Sequence, residues 1–226
     1  MDRKPESKWS EEERSQNTYL RNQLLVGLNE NDPLNPVVNE AAAEGTLHYV
    51  RDHLGDGKIY FAFMLRTPNR LKDKLKGEDG HAAAQLFVEG VRGARVQVGL
   101  GGKGIVALEQ FAENYTRNDD KYTITIYRAE ISEAKARKVI AKLEKDVGVG
   151  HYYSRFAQSA RGTINCSTWA IEVAREAGFY FPLSYLTGSN PLYLGFTLKK
   201  SKWEHAEYKY QPPRNLPAQE PVLAAN

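Results

Sequence analysis

The chain carries a single cysteine, Cys166, in 226 residues. That excludes an internal disulfide and any thiolate metal cluster, and leaves one thiol that is either an inert core residue or a reactive one. There is no long apolar run, and the mean hydropathy is -0.58, so no membrane-spanning helix is expected. The opening residues, Met1-Asp2-Arg3-Lys4-Pro5-Glu6, lack the apolar stretch of a Sec-type signal peptide. Neither sign of charge dominates: 31 Lys+Arg are interspersed with 28 Asp+Glu, for a net charge of +3, and no dense basic stripe occurs. Nucleic-acid binding is therefore not expected, although a weak preference for an anionic surface is permitted. Internal repeats and metal-ligand spacings are also lacking. His48 and His53 stand five apart without an acidic partner at zinc-helix spacing. The glycine-rich run from Gly99 to Gly104 has no Ser or Thr where a phosphate loop would place its magnesium ligand. No cofactor and no metal are expected.

What is present is the pattern of one large α+β domain, with 41% hydrophobic and 26% charged residues. Two helices are expected before residue 57. The first runs from a Ser10 cap to about Gly27, and the second from about Val37 to Leu54, where Gly55-Asp56-Gly57 stops it. Lys58 to Leu65 reads as a buried strand. A hairpin follows, with strands His81–Val88 and Ala94–Leu100 around a turn at 89–93. Tyr122–Tyr127 is a further strand, and a helix is expected from Ser132 to Val147. Residues 192–198 read as a last strand, and the proline-rich 211–226 as a flexible tail. The expected organisation is a helical extension over 1–57, a core over 58–210 and the tail.

Two places carry chemistry. Asn165 can cap a helix whose first residue is Cys166, and residues 166, 169, 170, 173, 174 and 177 share its apolar face. The unpaired N–H groups and positive dipole end of such a helix favour a thiolate and can hold an oxyanion. The bland alternative is a small buried hydrophobe. The second place is His81, which follows Gly80 and opens a strand of alternating character. Ala82, Ala84, Leu86 and Val88 form one face, while His81 and Gln85 lie on the other with Gln97 of the partner strand. An imidazole base with an orienting amide needs such a face, and a thiol helix over it would complete the pair. Simple solvation of that face is the alternative.

Gly80-His81-Ala82-Ala83 on a strand, followed by Asn165-Cys166-Ser167-Thr168-Trp169 at a helix start, resembles the circularly permuted papain-like cysteine hydrolases. These include permuted NlpC-type peptidoglycan hydrolases and enzymes like lecithin–retinol acyltransferase. The histidine strand precedes the cysteine helix, a strand and a helix intervene, and an aromatic segment, Tyr152-Tyr153 to Phe156, precedes the Asn-Cys pair. The resemblance covers about residues 58–200. It implies a permuted papain-like fold, an antiparallel sheet packed by the nucleophile helix, with the N-terminal helices as additions. It also implies Cys166 as nucleophile, His81 as base, and a polar third member on the next strand, for which Gln97 is the choice; many relatives have histidine there. Gln85, Asn165, Trp169 and Tyr153 are the expected substrate contacts.

The implied activity is cleavage of amide bonds in peptidoglycan stem peptides, by an endopeptidase or amidase. Compact size and the missing Sec signal resemble antibacterial toxins exported by type VI secretion to the periplasm of a target cell. Such a protein would have an immunity protein and a secretion-apparatus partner. The alternatives are a lipid acyltransferase or thioesterase, and a non-catalytic binding module on the same fold.

Overall fold

A computed structural model describes residues 5–11, 14–15, 46–69, 80–109, 122–154, 163–181, 190–201 and 203–208. The fold is α+β. Strands β1 (Ile59–Pro68), β2 (His81–Val88), β3 (Arg95–Leu100), β4 (Val106–Leu108), β5 (Tyr122–Glu130) and β6 (Glu204–Tyr208) form one sheet. It has six strands in the order β4-β3-β2-β1-β5-β6, and every neighbouring pair is antiparallel. The helices are α1 (Leu47–Asp52), α2 (Glu133–Asp146), α3 (Cys166–Glu176) and α4 (Pro191–Lys199).

Alternation along the strands gives the sheet two buried faces. Ile59, Phe61, Phe63 and Leu65 of β1 join Ala82, Ala84, Leu86 and Val88 of β2 in the main core. Into that core α2 inserts Ala136, Val139, Ile140 and Leu143, and α3 inserts Trp169, Ala170, Val173 and Ala174. The opposite face carries a smaller cluster of Tyr60, Ala62, Met64, Ala83, Phe87 and Ile126. Two charged ties fasten the helical layer. Arg51 of α1 pairs with Glu144 of α2, and the wholly buried Asp146 of α2 accepts from Trp169 Nε1 of α3 at 3.1 Å while pairing with Lys142 Nζ at 2.6 Å.

The strand over Lys58–Leu65, the hairpin, the strand at Tyr122 and the helix after Ser132 all form near their expected places. Residues 192–198 do not form a strand. They lie in α4, because Asn190 caps the segment by accepting from Tyr193 N and Pro191 occupies the first turn. Leu194 and Leu198, four apart, are its buried residues in the core. The edge strand β6 and the short β4 are additional, and Gly99 and Leu100 close β3, as expected for the second strand of the hairpin. Of the two N-terminal helices, Glu11, Arg14 and Ser15 are helical in the first, and Leu47–Asp52 in the second. The second is shorter than the expected 37–54, because Thr46 is extended and caps it by accepting from Tyr49 N, and His53 and Leu54 form a turn after it. Residues 12–13 and 16–45, and the tail over 211–226, lie outside the described residues.

Candidate active site

Asn165 is the N-cap of α3 and is held from both directions. Its Oδ1 accepts from Thr168 N at 2.9 Å, and its own N–H donates to Thr168 Oγ1 at 2.9 Å. This reciprocal pair satisfies two backbone donors and makes Cys166 the first helical residue. The N–H groups of Cys166 and Ser167 cannot bond within the helix, so they remain as donors beside the sulfur.

His81 is the first residue of β2, opposite Arg66 of β1. Strand parity points its side chain to the same face as Gln85, Gln97 and Glu109, whose backbone N–H bonds to the Gln97 carbonyl. Helix α3 packs on the other face. The expectation of a thiol helix lying over the semi-polar face is therefore corrected: the helix covers the apolar face, and only its first residue meets the imidazole. This contact is made at the sheet's end, where the register of β3 with β2 has already run out beyond Ala83 and Gly99.

The His81 ring is engaged on two sides. Its Nε2–H donates to Glu109 Oε1 at 2.5 Å, with side-chain exposures of 17% and 13%, and the Cys166 side chain lies near enough to favour its charged form. Burial by itself pushes the imidazole pKa down. The Glu109 carboxylate, the nearby Cys166 side chain and the hydrogen bond to Glu109 outweigh it and raise the value from 6.5 to about 10. The ring is thus an imidazolium at neutral pH, flanked by sulfur and carboxylate.

Glu109 is the acidic partner, in place of Gln97. Gln97 stands one step back and donates from Nε2 to Glu109 Oε2 at 2.9 Å. Gln85 stands a further step back, donating from Nε2 to Gln97 Oε1 at 2.5 Å. Glu109 was not legible because the strand that brings it there, β4, has three residues. Ile105-Val106-Ala107-Leu108 is a short apolar run without alternation, so no local signal in the sequence points to Glu109.

Gly99 belongs to the same constellation. A Cβ there would collide with Glu109 Oε1 and stand 2.9 Å from His81 Nε2. Gly99 pairs with Ala83 and Ala107 in the middle of three strands, and its φ is not in the left-handed region. Space for the histidine–carboxylate pair, rather than backbone conformation, explains the glycine.

The expected substrate contacts are redistributed. Trp169 is wholly buried and donates to Asp146, which makes it a core residue. Gln85 is wholly buried in the amide chain, and Asn165 is occupied by its cap. Tyr153 is half-buried against the core and bridges to Ile164 just before the Asn-Cys pair, the one residue of the four left close to the site with partial exposure. A concavity of about 280 Å³ lies between β1, β5 and α4, with Thr67, Asn69, Thr125, Tyr127, Phe196 and Lys199 in its wall. Cys166, His81 and Glu109 do not line it, although Thr67 and Asn69 belong to the end of the sheet where β2 begins.

Among the described residues no helix is long and apolar enough to cross a membrane. Comparison of the chain with protein-family models, with curated proteins and with solved structures finds no match.

Proposed function

We propose that the chain is a cysteine hydrolase acting on amide bonds of peptidoglycan stem peptides. The observation that carries this reading is the His81 ring held between Cys166 and the Glu109 carboxylate at the start of a capped helix. An inert core thiol has no need of an imidazolium, and an imidazolium this buried would be costly without a task that uses its proton. The sulfur attacks the substrate carbonyl carbon as the carbonyl π pair moves to oxygen. The N–H groups of Cys166 and Ser167 are suited to hold that oxyanion. As the tetrahedral species collapses, the C–N bond breaks and His81 gives its proton to the departing amine. Water, deprotonated by the now neutral His81, then attacks the thioester and releases the acid, and the proton returns the pair to its starting state. Glu109 holds the ring and balances its charge throughout.

The peptidoglycan substrate and the role of a secreted antibacterial effector come from the resemblance of the Gly80–Ala83 and Asn165–Trp169 segments. The test is digestion of purified muropeptides followed by mass analysis of the products. Wild type is expected to release new amine and carboxylate ends, and Cys166→Ala and His81→Ala to release none. Intact muropeptides with wild type, alongside hydrolysis of long-chain acyl thioesters, would move the substrate to the lipid class.

A further inference from the structure

Glu109 is held from behind by a chain of amides that the hydrolase reading does not itself require. A carboxylate can only accept, so Glu109 Oε2 obliges Gln97 to present its Nε2, at 2.9 Å. Gln97 then has its Oε1 turned away, and that oxygen obliges Gln85 to present its own Nε2, at 2.5 Å. The direction of both amides is therefore dictated from the Glu109 end. The far end shows how strongly: Gln85 Oε1 is buried with no hydrogen-bond partner. Reversing Gln85 would set oxygen against oxygen at Gln97, a worse arrangement than one unmet acceptor.

Both glutamines are almost wholly buried, at 0% and 4% exposure, on adjacent strands and directly paired in the register. Paired buried amides on a sheet face otherwise lined by Ala83, Ala62 and Met64 cost desolvation that apolar residues of the same size would avoid. Packing does not account for them, and a task at the end of the chain does.

We propose that Gln97 and Gln85 are positioning residues that act through Glu109, forming a one-way hydrogen-bond chain that locks its carboxylate against His81. Neither touches the reacting atoms. Gln97 fixes the second carboxylate oxygen so that the first lies over Gly99 and meets His81 Nε2, and Gln85 fixes Gln97. Without the chain the Glu109 side chain regains its rotamers, and the carboxylate spends part of its time away from the ring.

The proposal rests on the reading of Cys166 and His81 as a working pair. Its readouts, the NMR titration of the His81 ring and the pH profile of Cys166 alkylation, use no peptidoglycan, so it stands or falls apart from the substrate assignment. Gln97→Met and Gln85→Met keep side-chain length and delete the hydrogen bonds. Gln97→Met is expected to lower the His81 titration midpoint by about one unit and to move the alkaline break of the alkylation profile down by a similar amount, the scale of one lost interaction with a charged form. Gln85→Met is expected to act in the same direction and less. Because Gln85 acts only through Gln97, the double variant is expected to match Gln97→Met alone, a signature that general loosening of the sheet would not give. Wild-type titration and alkylation in both single variants, with Glu109→Gln altering both, would overturn the proposal. So would additive effects in the double variant. If Gln97→Met proves too unstable to titrate, Gln85→Met, one residue further from the site, carries the same test against Glu109→Gln.

Discussion

The imidazole of His81 carries the main electrostatic consequence of the site. Its pKa is about 10 in the folded chain against 6.5 in an unfolded one, despite burial, which alone acts in the other direction. A group whose pKa rises on folding stabilises the fold fully below its unfolded value, and loses that contribution as pH rises through the folded value. The stability advantage of wild type over Glu109→Gln, read from urea midpoints, should therefore be level near pH 6, decline from 6.5 upward and be gone above about 10. An advantage that grows with pH over that window would mean that Glu109 does not hold the imidazolium. Gly99 gives a second test at this scale. Gly99→Ala leaves the strand backbone in an ordinary conformation, but its Cβ must displace the Glu109 carboxylate and crowds His81 Nε2 at 2.9 Å. Stability at neutral pH should fall by about 1.4 kcal/mol for each unit by which the His81 titration drops toward its ordinary value. An unchanged titration would place the pair elsewhere than over Gly99. Cys166 and His81 were legible because each sits in a short local pattern, a capped helix start and a Gly-His strand opening. Glu109 was not, since nothing within a few residues of it distinguishes it from a solvated acid; only strand pairing does.

At the scale of elements, what was legible was whatever local periodicity decides. The alternation of β2, the apolar run of β1 and the stripe of α2 all announce themselves. Residues 192–198 were misread because Leu-Tyr-Leu-Gly-Phe-Thr-Leu suits either state by composition, and the deciding signal lay outside it, in the Asn190-Pro191 cap. The three residues of β4 are too few to carry a period at all. The cap of α3 matters beyond helix stability, since the reciprocal Asn165–Thr168 bonds set where the helix begins and hence where the sulfur stands. Asn165→Ala is expected to cost about 1 kcal/mol, the usual scale for a lost N-cap, seen as a lower urea midpoint. Activity should fall by more than that loss of folded protein explains, because the first turn and its oxyanion donors lose their anchor. Asn165→Asp, which also caps, should recover the midpoint. Recovery by Asp of neither quantity would show that the cap is not what orders the turn.

For the molecule as a whole, the arrangement separates two kinds of burial that a sequence cannot tell apart. Cys166 is 5% exposed and belongs to the same apolar core as Trp169 and Ala170. By burial alone it is a core thiol, and a core thiol is alkylated only when the chain opens. In that case the rate follows the unfolding equilibrium. Urea lowers unfolding free energy by about 1–3 kcal/mol per molar. At about 2 kcal/mol per molar, alkylation would accelerate roughly thirtyfold for each molar of urea, well before any spectroscopic transition. The placement of Cys166 at the end of the sheet, on the first turn of its helix and against His81, implies the other behaviour. A working nucleophile must be reached in the folded state, without β2 or α3 parting from the sheet. Alkylation at pH 7 should then be fast in buffer and nearly independent of urea up to the foot of the unfolding transition. Past it the rate should drop, because His81, Glu109 and Cys166 come from three distant stretches of chain and only the intact sheet assembles them. A rate that instead climbs steadily from zero urea, parallel to the unfolding constant, would return Cys166 to the core and with it remove the nucleophile from the proposed reaction.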